Sequence, residues 1–72
     1  MASAHVVPNG TNWDLKGDGA LISTHRIQEE ALSAGRQWLG NHGGGELFIH
    51  GEDGAVRAKD TVALGNDPRR HG

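Results

Sequence analysis

Apolar and polar positions alternate at both ends of the chain and follow a helical spacing between them. His5-Val6-Val7-Pro8 and Trp13-Asp14-Leu15-Lys16 read as paired strands, and Ala20-Leu21-Ile22-Ser23 as a third, short one. Asn9-Gly10 and Asp18-Gly19 divide them, pairs suited to tight hairpins because both central residues take positive φ. Pro8 has no N–H to give to a ladder, which suits an edge strand or a strand end.

The period then changes. Ile27, Ala31, Ala34, Gly35, Trp38 and Leu39 recur at helical spacing, with Gln28, Glu29, Glu30, Ser33, Arg36 and Gln37 between them. This predicts an amphipathic helix of about four turns that begins between Thr24 and Ile27. Glu29 and Glu30 near its start and Arg36 towards its end match the helix dipole. Thr24 is available as a cap, but no Glu or Gln follows it three residues later. Gly40-Asn41 supplies a stop and Gly43-Gly44-Gly45 a flexible link.

Alternation returns in Glu46 to His50, with Leu47 and Ile49 on one face and Glu46, Phe48 and His50 on the other. A hairpin about Asp53-Gly54 sets His50 opposite Arg57 and Ile49 opposite Ala58, so that Leu47, Ile49, Val56 and Ala58 share one face. Trp13-x-Leu15 before Asp18-Gly19 is echoed by Leu47-x-Ile49 before Asp53-Gly54. From residue 65 to 72 no periodicity remains, and a flexible C-terminal tail is expected after a single domain over residues 1–64.

The predicted fold is therefore α+β. It is a small antiparallel sheet of four to five strands, in the order strand-strand-strand-helix-strand-strand, with one helix packed on one face. The expected core is Val6, Trp13, Leu15, Leu21, Ile27, Ala31, Trp38, Leu39, Leu47, Ile49 and Val56. One helix covers only one side of such a sheet, so function is sought on the uncovered face.

Composition narrows the classes. The 72 residues contain no cysteine, which excludes a disulfide framework, a thiolate zinc site and a cysteine nucleophile. Disulfide staples being excluded, a thin core with twelve glycines makes self-association an expected remedy. The formal net charge of −2 argues against binding to nucleic acid by bulk electrostatics alone. No apolar run approaches the roughly 20 residues that span a bilayer, and Met1-Ala2-Ser3-Ala4 is too short for a signal peptide. A cytoplasmic location without membrane contact is the expectation.

The order of these landmarks resembles a small bacterial family catalogued as domain of unknown function 2188. The matching pieces are His5-Val6-Val7-Pro8, Trp13 after a Gly-containing turn, Glu30-Ala31, Leu47 to His50, Asp53-Gly54 and Gly65-Asn66-Asp67-Pro68. Two positions depart from it: Ile27 stands where the family usually has a Ser or Thr cap, and Leu64 where it often has an aromatic. The resemblance implies a strand-and-helix α+β module and no activity.

Candidate chemistry is sparse. His50 and Glu52 lie two apart on one strand face, and His5 joins them only if the first and fourth strands pair. No histidines show the helical His-x-x-x-His spacing of zinc helices, so surface histidines are expected and no metal or cofactor. Histidines 42 and 71 are expected to be solvated. Asp14, Asp18, Glu46, Glu52, Asp53 and Asp60 supply carboxylates, yet one helix on one sheet offers little concavity for catalysis, and no enzymatic activity is expected. Gly43-Gly44-Gly45 lacks the Lys and Ser or Thr of a phosphate loop and leads into a strand.

Binding is the remaining class. Phe48, His50, Arg57 and Lys59 are expected on the uncovered face, with Ile22 extending an apolar patch there. The leading expectation is a non-enzymatic binding or accessory module that contacts protein, itself included, through this face. The alternative is weak nucleic-acid binding, with Phe48 stacking a base and Arg57, Lys59, Arg69 and Arg70 holding phosphates.

Overall fold

The structure is a computed structural model, and it describes residues 2–63. Leu64 and the 65–72 segment, with Arg69 and Arg70, lie outside the described residues. The elements are β1 (Ala2–Asn9), β2 (Asn12–Gly17), β3 (Ala20–His25), α1 (Gln28–Gly40), β4 (Gly45–His50) and β5 (Val56–Val62).

The five strands form one sheet in the order β3-β2-β1-β4-β5. The α+β architecture and element order are as the pattern predicts, with one refinement: β1 and β4 run parallel, so the sheet is mixed. Parallel neighbours require a crossover. Here β2, β3 and α1 intervene, and the helix brings the chain back to the far side of β1.

The first two turns are two-residue hairpins. Gly17 pairs with Ala20 around Asp18 and Gly19, both at positive φ (51° and 79°), as such a loop demands. The other is shifted from its expected place: Asn9 pairs with Asn12, so Gly10-Thr11 rather than Asn9-Gly10 forms the loop. The 53–54 turn is wider than a two-residue hairpin. The Gly51 N–H bonds the Ala55 carbonyl at 2.8 Å, and the Gly54 N–H bonds the Gly51 carbonyl at 2.9 Å.

Helix α1 lies across one face and buries Ala31, Gly35, Leu39 and Gly40. The core unites Ala31 and Leu39 with Ala4, Val6, Leu15, Leu47 and Val62, and Trp13, Ile22, Trp38 and Ile49 pack around it half-buried. A Cβ on Gly35 would sit 2.8 Å from Leu47 Cδ1, so the missing side chain sets how closely the helix approaches the sheet. An exposed ion pair from Arg36 Nε to Asp60 Oδ2, 2.8 Å long, ties α1 to β5.

Three expected core residues are instead exposed: Leu21 at 59%, Ile27 at 53% and Val56 at 53%. Two of these corrections come from strand register, each in its own way. Leu21 follows from the Asp18-Gly19 hairpin itself: Gly17 pairs with Ala20 and Lys16 with Leu21, which puts Leu21 on the Lys16 face. The β2/β3 ladder shift between Leu15 and Lys16 leaves Ile22 as the extra residue, on the helix side near Trp38. Between Ile49 and His50 the β4/β5 ladder shifts likewise: Ile49 faces Ala58 as expected, but His50 faces Val56 rather than Arg57. An extra residue in one strand reverses the inside–outside phase beyond it. Ile27 differs. It is the extended residue before the helix (φ −127°, ψ 151°) and makes no side-chain cap bond.

Candidate functional site

The face opposite α1 carries a row of paired residues that crosses all five strands: Leu21, Lys16, His5, Phe48 and Lys59. His5 sits on the central strand because β1 lies between β2 and β4. Its ring stacks on Phe48, with centroids 4.8 Å apart and planes at 17°.

His50 lies two residues beyond Phe48 on the same strand, hence on the same face. Its Nε2 is 3.0 Å from His5 Nδ1, and its Nδ1 is 2.8 Å from the Gly54 carbonyl oxygen. A carbonyl only accepts, so His50 Nδ1 carries a proton and donates it there. In the neutral pair His50 Nε2 then accepts, and His5 Nδ1 must be the donor. Burial, and then the charge of His50, holds the His5 imidazole below the usual histidine value. Gln28 Nε2 donates to the His50 carbonyl at 3.3 Å, which links the start of α1 to this end of β4.

The expected site residues are partly brought together. Phe48, His50 and Lys59 share the face. Arg57 falls at the ladder irregularity, and its Nη2 turns back to Asp53 Oδ2 at 3.0 Å. Lys59 Nζ lies 3.6 Å from Glu46 Oε2. Ile22 packs on the helix side and is no part of this surface. His5 is the residue that the expected site omits. Its strand is legible in sequence, but its neighbour across the sheet is not.

A second polar cluster accompanies it. Asp14 is 7% exposed although it belongs to the uncovered face. Thr24 Oγ1 donates to Asp14 Oδ1 at 2.8 Å, and Asn9 Nδ2 donates to Asp14 Oδ2 at 3.1 Å. This carboxylate holds together the ends of β1, β2 and β3. His42 is exposed, as expected; its ring also stacks on Trp38 with centroids 4.2 Å apart, and its Nδ1 donates to the Trp38 carbonyl at 2.7 Å.

Among the described residues no three His, Asp or Glu side chains converge as a metal-holding group, and no helix is long and apolar enough to cross a membrane. What the face offers is an aromatic–imidazole centre flanked by lysines, with apolar Leu21 and Val56 towards its two edges.

Comparison with curated proteins and with solved structures returns no match. A family model, described as "Uncharacterized protein conserved in bacteria (DUF2188)", matches residues 4–62, from the third residue of β1 through the end of β5. With that match spanning every strand and the helix, the chain belongs to this family of uncharacterised bacterial proteins.

Proposed function

We propose that the protein is a small non-enzymatic binding module whose uncovered sheet face contacts protein, with a second copy of this chain as its first occupant. The observation that carries the reading is the five-strand row Leu21–Lys16–His5–Phe48–Lys59 on a face that no other element covers among the described residues. Stacked rings and exposed apolar side chains are the groups that gain most from being covered. The same surface holds both charge signs, Lys16 and Lys59 with Glu46 and the neighbouring Asp53, so a second copy can offer opposite charges to each. A cover from a second copy also adds to a core of seven buried apolar side chains among the described residues.

Nucleic-acid binding is the second reading, favoured by Lys16 and Lys59 flanking the His5–Phe48 stack. Two ion pairs weigh against it, because Arg57 and Lys59 already face Asp53 and Glu46. Salt separates the two, since phosphate contacts weaken steeply with ionic strength and apolar association does not. Sedimentation of the wild type and Phe48→Ala at low and high salt is the test. Association that persists in high salt and is lost in Phe48→Ala supports the protein reading. Binding to a mixed oligonucleotide that vanishes with salt and with Arg57→Ala/Lys59→Ala would replace it.

A further inference from the structure

We infer that His5 and His50 form a two-histidine chelate for a late first-row divalent ion of the zinc, nickel or copper class. The inference concerns the chain alone and does not depend on the face being covered by a partner.

Its first support is the nitrogen separation. Two nitrogens bound at about 2.0–2.1 Å lie roughly 2.9 Å apart at a right angle and 3.3 Å apart at the tetrahedral angle. His5 Nδ1 and His50 Nε2 are 3.0 Å apart, within that span. The ion would therefore enter between the rings with little movement of either strand.

The second support lies behind the ligands. A metal-bound imidazole typically donates its other N–H to a carbonyl or carboxylate, which fixes its orientation. His50 has that arrangement, with Nδ1 held by the Gly54 carbonyl at 2.8 Å and Nε2 turned to the site. Stacking on Phe48 holds the His5 ring, and β1/β4 pairing holds both backbones.

Proton accounting is simple. In the neutral pair the His5 proton sits on Nδ1, and binding moves it to Nε2, so the ion takes the Nδ1 lone pair with no net proton release. Each ligand nitrogen must carry a free lone pair, so binding weakens with acid.

The charged surroundings select the class of ion. Lys16 is paired opposite His5, and Lys59 opposite Phe48, the latter near Glu46 at 3.6 Å. Arg57 and Asp53 form their own pair beside Gly54. No carboxylate joins the two imidazoles in a metal-holding group among the described residues. Magnesium and calcium, which need oxygen donors, have nothing to bind here, whereas imidazole suits zinc, nickel and copper. Water would fill the remaining positions.

The test is a titration of the isotope-labelled chain with Zn²⁺ alone and with Mg²⁺ alone near pH 7.5, followed by NMR and calorimetry. His25, His42 and His71 are removed together as Asn in one variant, to silence other imidazoles. His5→Phe, which keeps a ring on Phe48, and His50→Gln are made singly, each checked for a native spectrum. Saturable Zn²⁺ binding is expected in the wild type and the triple variant, with shifts centred on His5, Phe48, His50 and Gly54 and none with Mg²⁺. Each single variant should bind at least about tenfold more weakly. Binding that survives either single variant unchanged, disappears in the triple variant, or is absent from the wild type would overturn the inference.

Discussion

His5 Nδ1 and His50 Nε2 meet at 3.0 Å although 45 residues separate them in the chain. The contact exists because β1 and β4 run parallel at the centre of the sheet, which places two rings on one face. It also makes the fold sensitive to protons. Burial and the charge of His50 lower the His5 value, so below about pH 6.5 the unfolded chain binds more protons than the folded one. The His5 contribution is therefore full above that pH and is lost as pH falls towards the lowered folded value. Urea denaturation at pH 7.5 and pH 5 should show lower stability at pH 5, and His5→Phe should reduce the difference. An unchanged difference in His5→Phe would rule out this cause.

Asp14 is the structural carboxylate of the uncovered face. Asp14→Ala strands the Thr24 hydroxyl and the Asn9 amide without their acceptor. The expected loss is about 1–3 kcal/mol, measured as a lower urea midpoint, with Thr24→Val costing about 1 kcal/mol. Equal stability of Asp14→Ala and the wild type would contradict this role.

Gly45 stands where a side chain would run into the backbone of the neighbouring strand. Its φ is +156°, and a Cβ there would overlap the carbonyl of Ala2, the residue paired with it. Gly45→Ala should cost about 3 kcal/mol or more, enough to unfold a substantial fraction of a domain this small. Gly10, at φ +62° with nothing within 4 Å of its Cβ position, is the comparison. Gly10→Ala should cost only about 1–2 kcal/mol of backbone strain. Thermal midpoints of the two variants distinguish a backbone overlap from strain alone.

His42 closes the end of α1. Its ring covers Trp38 and its Nδ1 bonds the Trp38 carbonyl at 2.7 Å, a carbonyl that also accepts the Asn41 N–H at 3.2 Å. His42→Ala should lower stability by about 0.5–1.5 kcal/mol and change Trp fluorescence, while His42→Phe should retain part of the stacking. No change in either observable would show that the contact is inconsequential.

The fold was legible where pattern and turn chemistry agree. Alternation in Trp13 to Lys16 and Glu46 to His50, the helical recurrence from Ala31 to Leu39, and Asp18-Gly19 each specify their element. Two ladder irregularities were not legible, because an extra residue in a strand leaves composition and apparent period almost unchanged. The one between Ile49 and His50 turns Val56 outward, whereas Leu21 faces out through the regular pairing with Lys16 that the Asp18-Gly19 hairpin already implies. Ile27 followed the helical spacing yet lies in the extended residue before the first turn. Of the candidate site, Phe48, His50 and Lys59 were readable from strand parity. His5 was readable only conditionally, as a neighbour of His50 if the first and fourth strands pair; that they do is a choice made by the helix crossover rather than by local sequence.

The central claim is that the face bearing His5 and Phe48 is covered by a second copy. A mixed sample of isotope-labelled and unlabelled chains, observed for contacts between copies in high salt, tests it most directly. The account predicts intermolecular contacts from Phe48, His5, Leu21 and Val56, and their loss in Phe48→Ala. A single-chain mass at millimolar concentration with no such contacts, or contacts confined to the helix side around Trp38, would contradict it.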